Sequence, residues 1–119
     1  MKPIIQKHDH YRNPKLLSLA NGAPCMNCGA EDGTVVACHS NDNAHGKGIG
    51  IKADDACIAF LCVACHDWYD GRAGTGEGWS NSDPTGNFSG YADGKAFMFL
   101  EALANTYLWL LKSGKLKVS

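Results

Sequence analysis

Two Cys-x-x-Cys knuckles, Cys25-Met26-Asn27-Cys28 and Cys62-Val63-Ala64-Cys65, bracket the middle of this chain, and His66 follows the second at once. Two such pairs can lend four thiolates to one tetrahedral zinc ion. Closing that site would draw distant segments together, bringing Cys38-His39 and His66 onto one small scaffold. Two imidazoles held in that way suit hydrolysis, one taking a proton from water and the other holding a catalytic cation. The alternatives for the knuckles are two unrelated pairs or a redox dithiol. A redox pair belongs at a helix start in a βαβ setting, and two together would be odd.

His39 stands at the end of an apolar run, where it can hydrogen-bond a water and deprotonate it for attack on phosphorus. Alone it would be read as an ordinary core or surface histidine; the zinc framework and His66 favour the base. His66, its direction set by Cys65, suits a ligand of a second, catalytic cation such as Mg²⁺, with a supporting group for the zinc or a replacement for Cys65 as alternatives. Asp67 and Asp70 could orient that imidazole or join a hard-cation shell. Arg72 could grip a phosphate. A solvated helix face with ordinary ion pairs explains Asp70 and Arg72 equally well. The polar loop 40–54, with Asp55 just beyond it, offers Asn41, His45, Lys47, Lys52, Asp54 and Asp55. Gly46-Lys47-Gly48-Ile49-Gly50 lacks the Gly-Lys-Ser/Thr ending of a phosphate-binding P-loop. Its glycines would still let backbone approach a nucleic-acid strand, with Lys47 and Lys52 on phosphates; the alternative is a flexible turn. Cys38 and Cys57 lie in apolar runs and read as buried thiols, although Cys38, beside His39, is also a candidate soft metal ligand.

The chain has 119 residues, 11 basic and 12 acidic, for a formal net charge of -1. That length fits one domain, residues 1–119, small enough to gain from a structural metal. The charge balance excludes a large basic field, so affinity for nucleic acid must come from a local patch, a bound metal or a partner chain. The N-terminus has no signal-peptide character. The longest apolar stretch, 96–111, is interrupted by Glu101 and Asn105 and is too short and polar to span a bilayer. A cytoplasmic protein without a membrane anchor is the expectation. Six cysteines there are metal ligands and buried thiols rather than disulfides.

The elements that must position these groups follow from local chemistry. Ile4-Ile5 suggests one strand. Asn13-Pro14 reads as a helix start, with Asn as cap and Pro preset for the first turn, and Asn21-Gly22 as its end. The β-branched run 34–38 predicts a strand ending at His39, and 57–61 predicts a second. Residues 63–70 read as a short helix launched from the second knuckle. Residues 73–92 form a glycine-rich surface excursion. A final helix over 93–112, capped by Asp93, carries Phe97, Leu100, Ala104, Tyr107, Leu108 and Leu111 at helical spacing. Met98, Phe99, Ala102, Trp109 and Leu110 make its other side apolar too, so it should be central or cover a partner, a second copy included.

Together these residues resemble the HNH endonucleases (ββα-metal, or His-Me finger) with a zinc-stapled core. More closely, His39-Ser40-Asn41, then His45-Gly46-Lys47-Gly48-x-Gly50-Ile51-Lys52-x-x-Asp55, then Leu61-Cys62-x-x-Cys65-His66-x-x-x-Asp70, resemble the small phage and prophage nucleases of the YbcO type. These are similar in turn to the phage recombination-enhancement nuclease. The likeness covers 25–72. It implies an α+β fold with a small zinc-stapled ββα-metal core and a long C-terminal helix. It further implies DNA as partner, one structural Zn²⁺ on Cys25, Cys28, Cys62 and Cys65, and one divalent cation over the scissile phosphate. His39 would be the general base and His66 a ligand of that cation.

Two positions depart from the pattern. Cys38 stands where an acidic metal ligand commonly precedes the base, and a thiol favours softer ions than Mg²⁺. The middle Asn of the motif falls near Cys57, with Asp55 and His45 as the available substitutes. The first expectation is a metal-dependent endonuclease hydrolysing phosphodiester bonds in DNA, phage or prophage derived and linked to recombination or DNA processing. The second is a catalytically inactive zinc module that binds nucleic acid or a recombination partner. The third is a redox-active or metal-sensing protein.

Overall fold

The structure, a computed structural model, describes residues 10–48, 50–71, 85, 87–88 and 92–118. The Ile4-Ile5 strand, Arg72 and nearly all of the glycine-rich excursion lie outside these residues. The described elements run in the order α1 (Pro14–Ser18), β1 (Val36–His39), a 3-10 turn (Asn43–His45), β2 (Ile58–Leu61), α2 (Val63–Asp70) and α3 (Ala92–Lys112). The fold is mixed α+β: a two-stranded antiparallel sheet with a long C-terminal helix.

Local chemistry places the start of each of these elements to within two residues. The Asn13 side chain accepts a hydrogen bond from the Leu16 N–H at 3.1 Å, and Pro14 occupies the first turn, where it forfeits no hydrogen bond. β1 begins two residues later than the β-branched run suggests, because Thr34 is occupied elsewhere. Its hydroxyl bonds Asp32 and also accepts the N–H of Val63, fixing the entry to α2. The strands pair in the register Val36↔Leu61, Ala37↔Phe60, Cys38↔Ala59 and His39↔Ile58. α2 closes on Gly71, whose φ of 75° is left-handed, a geometry that costs glycine little. α3 begins one residue before Asp93, which therefore sits in the first turn rather than at the cap.

Every residue of β2 is buried. Its outer edge is covered from two sides: the Phe60 carbonyl accepts the N–H of Met26 at 2.8 Å, and the Phe60 N–H donates to the Thr106 hydroxyl at 3.1 Å. The first knuckle and α3 thereby complete the sheet and leave its central backbone paired. Thr106, fully buried in α3, also donates to the Ala102 carbonyl, so both hydroxyl capacities are used. Met98, Phe99, Ala102 and Leu110 bury the same helix face, and Tyr69 of α2 stacks on Phe99 with centroids 4.7 Å apart. α3 is thus apolar on two sides but buried on one. Phe97, Leu100, Leu108 and Leu111 are exposed. Among the described residues, no helix is long and apolar enough to cross a membrane.

Candidate functional site

The four knuckle sulfurs lie within 4.8 Å of one another. Zinc–thiolate bonds of about 2.3 Å in a tetrahedron require sulfur–sulfur edges of roughly 3.8 Å, and Cys28 Sγ stands 3.6 Å from Cys62 Sγ. The backbone N–H groups of Asn27 and Cys28 point at Cys25 Sγ, and the Asn27 amide donates to Cys65 Sγ at 3.4 Å. Donors aimed at sulfur favour the thiolate, the form that binds metal. Cys62 is the N-cap of α2, so the positive end of the helix also faces the cluster. The hydrogen bond shared with Cys65 brings the Cys25 thiol down to about 4. Burial pushes Cys62 up to about 11, while the bond to Cys25, then burial, raise Cys65. Crowded sulfurs of this kind release one proton readily and keep the others, and a divalent cation lets all four ionise. These four cysteines could hold a metal ion such as zinc.

A second group of metal-ligating atoms stands apart from the first. Cys38 Sγ, a His66 ring nitrogen and an Asp70 carboxylate oxygen also lie within 4.8 Å of one another. Cys38 comes from β1; His66 and Asp70 stand one helical turn apart on α2, with His66 Nε2 3.0 Å from Asp70 Oδ2. Asn41 donates its side-chain amide to Asp70 at 3.1 Å, and its backbone N–H donates to the Tyr69 hydroxyl. Three protein donors are one fewer than a closed four-ligand structural site uses, and this trio could hold a metal ion.

His66 and Asp70, but not the buried Cys38, line a cleft of about 770 Å³, whose walls also include His39, Asn41, Lys47 and Lys52. No family model, curated protein or solved structure matches this chain. What the site can do therefore rests on its own geometry.

His39 Nε2 lies 2.8 Å from Asp55 Oδ1. Burial by itself would raise the Asp55 pKa. The hydrogen bond with His39, the Asn13 N–H and the charges of His39 and Arg12 outweigh it and hold the carboxyl below its ordinary value. An ionised carboxylate only accepts, so Nε2 carries a proton, and in the neutral ring Nδ1 then holds the lone pair. Asp55 is itself gripped by the segment ahead of α1: Asn13 N–H donates to Oδ2 at 2.6 Å and Arg12 to Oδ1 at 3.2 Å. Arg12 also donates to the carbonyls of Lys52 and Ala53, and the Tyr11 N–H to Asp54 Oδ1. On the other side the Tyr107 hydroxyl donates to the Ala56 carbonyl.

The remaining loop residues have separate tasks. His45 Nδ1 is 2.7 Å from the Ser40 hydroxyl, which fastens the 3-10 turn beside β1 and keeps His45 outside the metal-ligating groups. A bridge between Gly48 and Ile51 folds the loop tip back, with Gly50 left-handed at φ 68°. Lys47 and Lys52 flank that bridge, and both reach the cleft. Asp67 is in neither metal-ligating group. The Cys57 thiol is only half-buried; burial and then the Asp54 charge raise its pKa, which fits an inert thiol.

Sequence reasoning missed Arg12 and Tyr69. An Arg-Asn-Pro run at a helix start is read as a cap, and nothing local announces that Arg12 reaches residues 52–55. The union of Cys38 with Asp70 was likewise out of reach, since their spacing carries no motif.

The depressed Asp55 pKa has a consequence for stability. A carboxylate lowered in the folded state stabilises it above its unfolded value, about 4, and loses that contribution as pH falls through the folded value. Comparing wild type with Asp55→Asn in urea at each pH cancels the acid sensitivity of the thiolates. Wild type should be the more stable at pH 6 and the two should converge below pH of about 4. A constant difference across that range would show that Asp55 is not ionised against His39 and Arg12.

Proposed function

We propose that this chain is a metal-dependent endonuclease of the ββα-metal type, hydrolysing phosphodiester bonds in DNA. The observation that carries the reading is the cleft, where a histidine hydrogen-bonded to a buried carboxylate, His66 and Asp70 with the buried Cys38 sulfur close to both, and two lysines come together. The succession β1, β2, α2, with knuckle cysteines at the base, supports the same reading.

In this mechanism His39 Nδ1 accepts the proton of the attacking water. Asp55 holds the ring by its other nitrogen and offsets the positive charge that develops on it, as the orienting acid does in hydrolytic triads. Cys38, His66 and Asp70 would hold the divalent cation, whose chemistry when bound is to stabilise charge on the phosphorane and the leaving oxygen. Asn41 keeps Asp70 aimed. Lys47 and Lys52 engage phosphates on either side of the loop tip, a local source of affinity for a chain without a basic field.

The test is plasmid cleavage by zinc-loaded protein with Mg²⁺, Mn²⁺, Zn²⁺ or EDTA, with wild type beside His39→Ala. General-base catalysis contributes about 10²- to 10⁴-fold, so the variant should lose that much while binding DNA as before. Equal cutting by both proteins would remove His39 from the mechanism. A folded wild type that binds DNA and cuts with none of the metals would favour the second reading, a zinc module that binds nucleic acid without cleaving it. The observation behind that reading is Cys38, 1% exposed where an acidic ligand would be expected.

A further inference from the structure

The exposed side of α3 has an internal symmetry that the rest of the molecule does not use. Phe97 and Leu100 stand seven and four residues before Ala104; Leu108 and Leu111 stand four and seven after it. At about 100° per residue all five fall within about 40° of one line along the helix, a stripe roughly 21 Å long. Phe97 is 64% exposed and Leu100, Leu108 and Leu111 between 46% and 50%; Ala104 is also exposed. Apolar side chains in one continuous stripe on a helix otherwise docked by its opposite face mark an interaction surface.

A sequence palindromic about one small residue suits one partner above others. A two-fold interface requires the same patch on both chains, each residue meeting its symmetry mate. We infer that a second copy of this chain packs antiparallel on α3, with the two Ala104 residues at the two-fold axis. Phe97 then meets the partner's Leu111, and Leu100 meets the partner's Leu108. The small side chain at the centre lets the helices approach closely, and their dipoles oppose one another favourably.

Charge decides between the two directions of pairing. α3 carries exposed Asp93 and Glu101 ahead of Ala104 and exposed Lys112 behind it. Antiparallel pairing turns the acidic first half toward the partner's C-terminal end and on one flank sets Glu101 toward the partner's Lys112. Parallel pairing would set Asp93 against Asp93 and Lys112 against Lys112. No residue of α3 is among those lining the cleft, so the dimer leaves both clefts open, and the inference does not depend on the proposed activity.

Sedimentation velocity of the zinc-loaded full chain, from about 1 to 100 μM, tests it. Wild type should sediment as a dimer in the upper part of that range. Ala104→Glu, which sets two like charges at the axis, should weaken association by at least about tenfold, with an unchanged circular dichroism spectrum and zinc content. Glu101→Lys alone should weaken the dimer, and Glu101→Lys with Lys112→Glu should restore it. A monomeric wild type at the highest concentration, or an Ala104→Glu protein that dimerises like wild type, overturns the proposal. Weakening by Glu101→Lys without restoration in the double variant overturns the antiparallel arrangement.

Discussion

Removing the metal from the four-cysteine site is expected to unfold the domain. A structural zinc contributes roughly 10–16 kcal/mol of binding free energy that appears as folding free energy, against a total stability for ordinary domains of about 5–15 kcal/mol. The position of the cluster makes the loss general. Cys62 joins β2 to α2, Cys25 and Cys28 hold the turn that donates Met26 N–H to Phe60, and His66 is one residue from Cys65. Stripping with a strong chelator should abolish the helical circular dichroism signal and release zinc in one coincident transition. Cys62→Ser should be unfolded, or recovered only with a melting temperature depressed by tens of degrees. A Cys62→Ser protein of native stability and wild-type zinc content would show that these four sulfurs are not the structural site.

The second large effect concerns Cys38. A cysteine sulfur beside an imidazole and a carboxylate favours zinc or cobalt over Mg²⁺, because soft sulfur gains little from a hard, strongly hydrated ion. Cleavage by wild type should therefore be supported by the softer ions and barely by Mg²⁺. Cys38→Asp replaces sulfur by oxygen at the same place and should raise the Mg²⁺-supported rate by at least about tenfold while lowering the zinc-supported one. Because Cys38 is buried, the variant must first show wild-type secondary structure and one zinc on the knuckles. Cys38→Ala, nearly isosteric and unable to ligate, serves as the second check. If it cuts with the same metal preference as wild type, the cation is held without Cys38, and the proposed ligand set is reduced to His66 and Asp70.

Both expectations grow from features that differ in how far the sequence exposes them. The knuckles, the Asn13-Pro14 start, the β-branched run before His39 and the helix beginning at Val63 were legible because each depends on residues within a few positions of one another. So were His66 as a candidate ligand beside Cys65, and the apolar periodicity of 93–112. The spacing of the cysteines is equally a local code, written twice.

Three matters were decided only by the tertiary structure. Asp55 was one of several acidic groups in a long loop until Arg12 and Asn13 clamped it and turned it onto His39. Cys38 reads from the sequence as a buried thiol or a ligand; it is buried, and only the fold brings its sulfur within 4.8 Å of ligand atoms on His66 and Asp70. The final helix offered two apolar faces, and periodicity cannot say which one a sheet will cover. Thr106 settles that choice, because its hydroxyl satisfies the Phe60 N–H at the edge of β2 and thereby turns Phe97, Ala104 and Leu111 outward. Local propensity and metal-ligand spacing are properties of short segments. The partner of a buried polar group is chosen by the closure of the whole chain, which must leave no donor in the core without an acceptor.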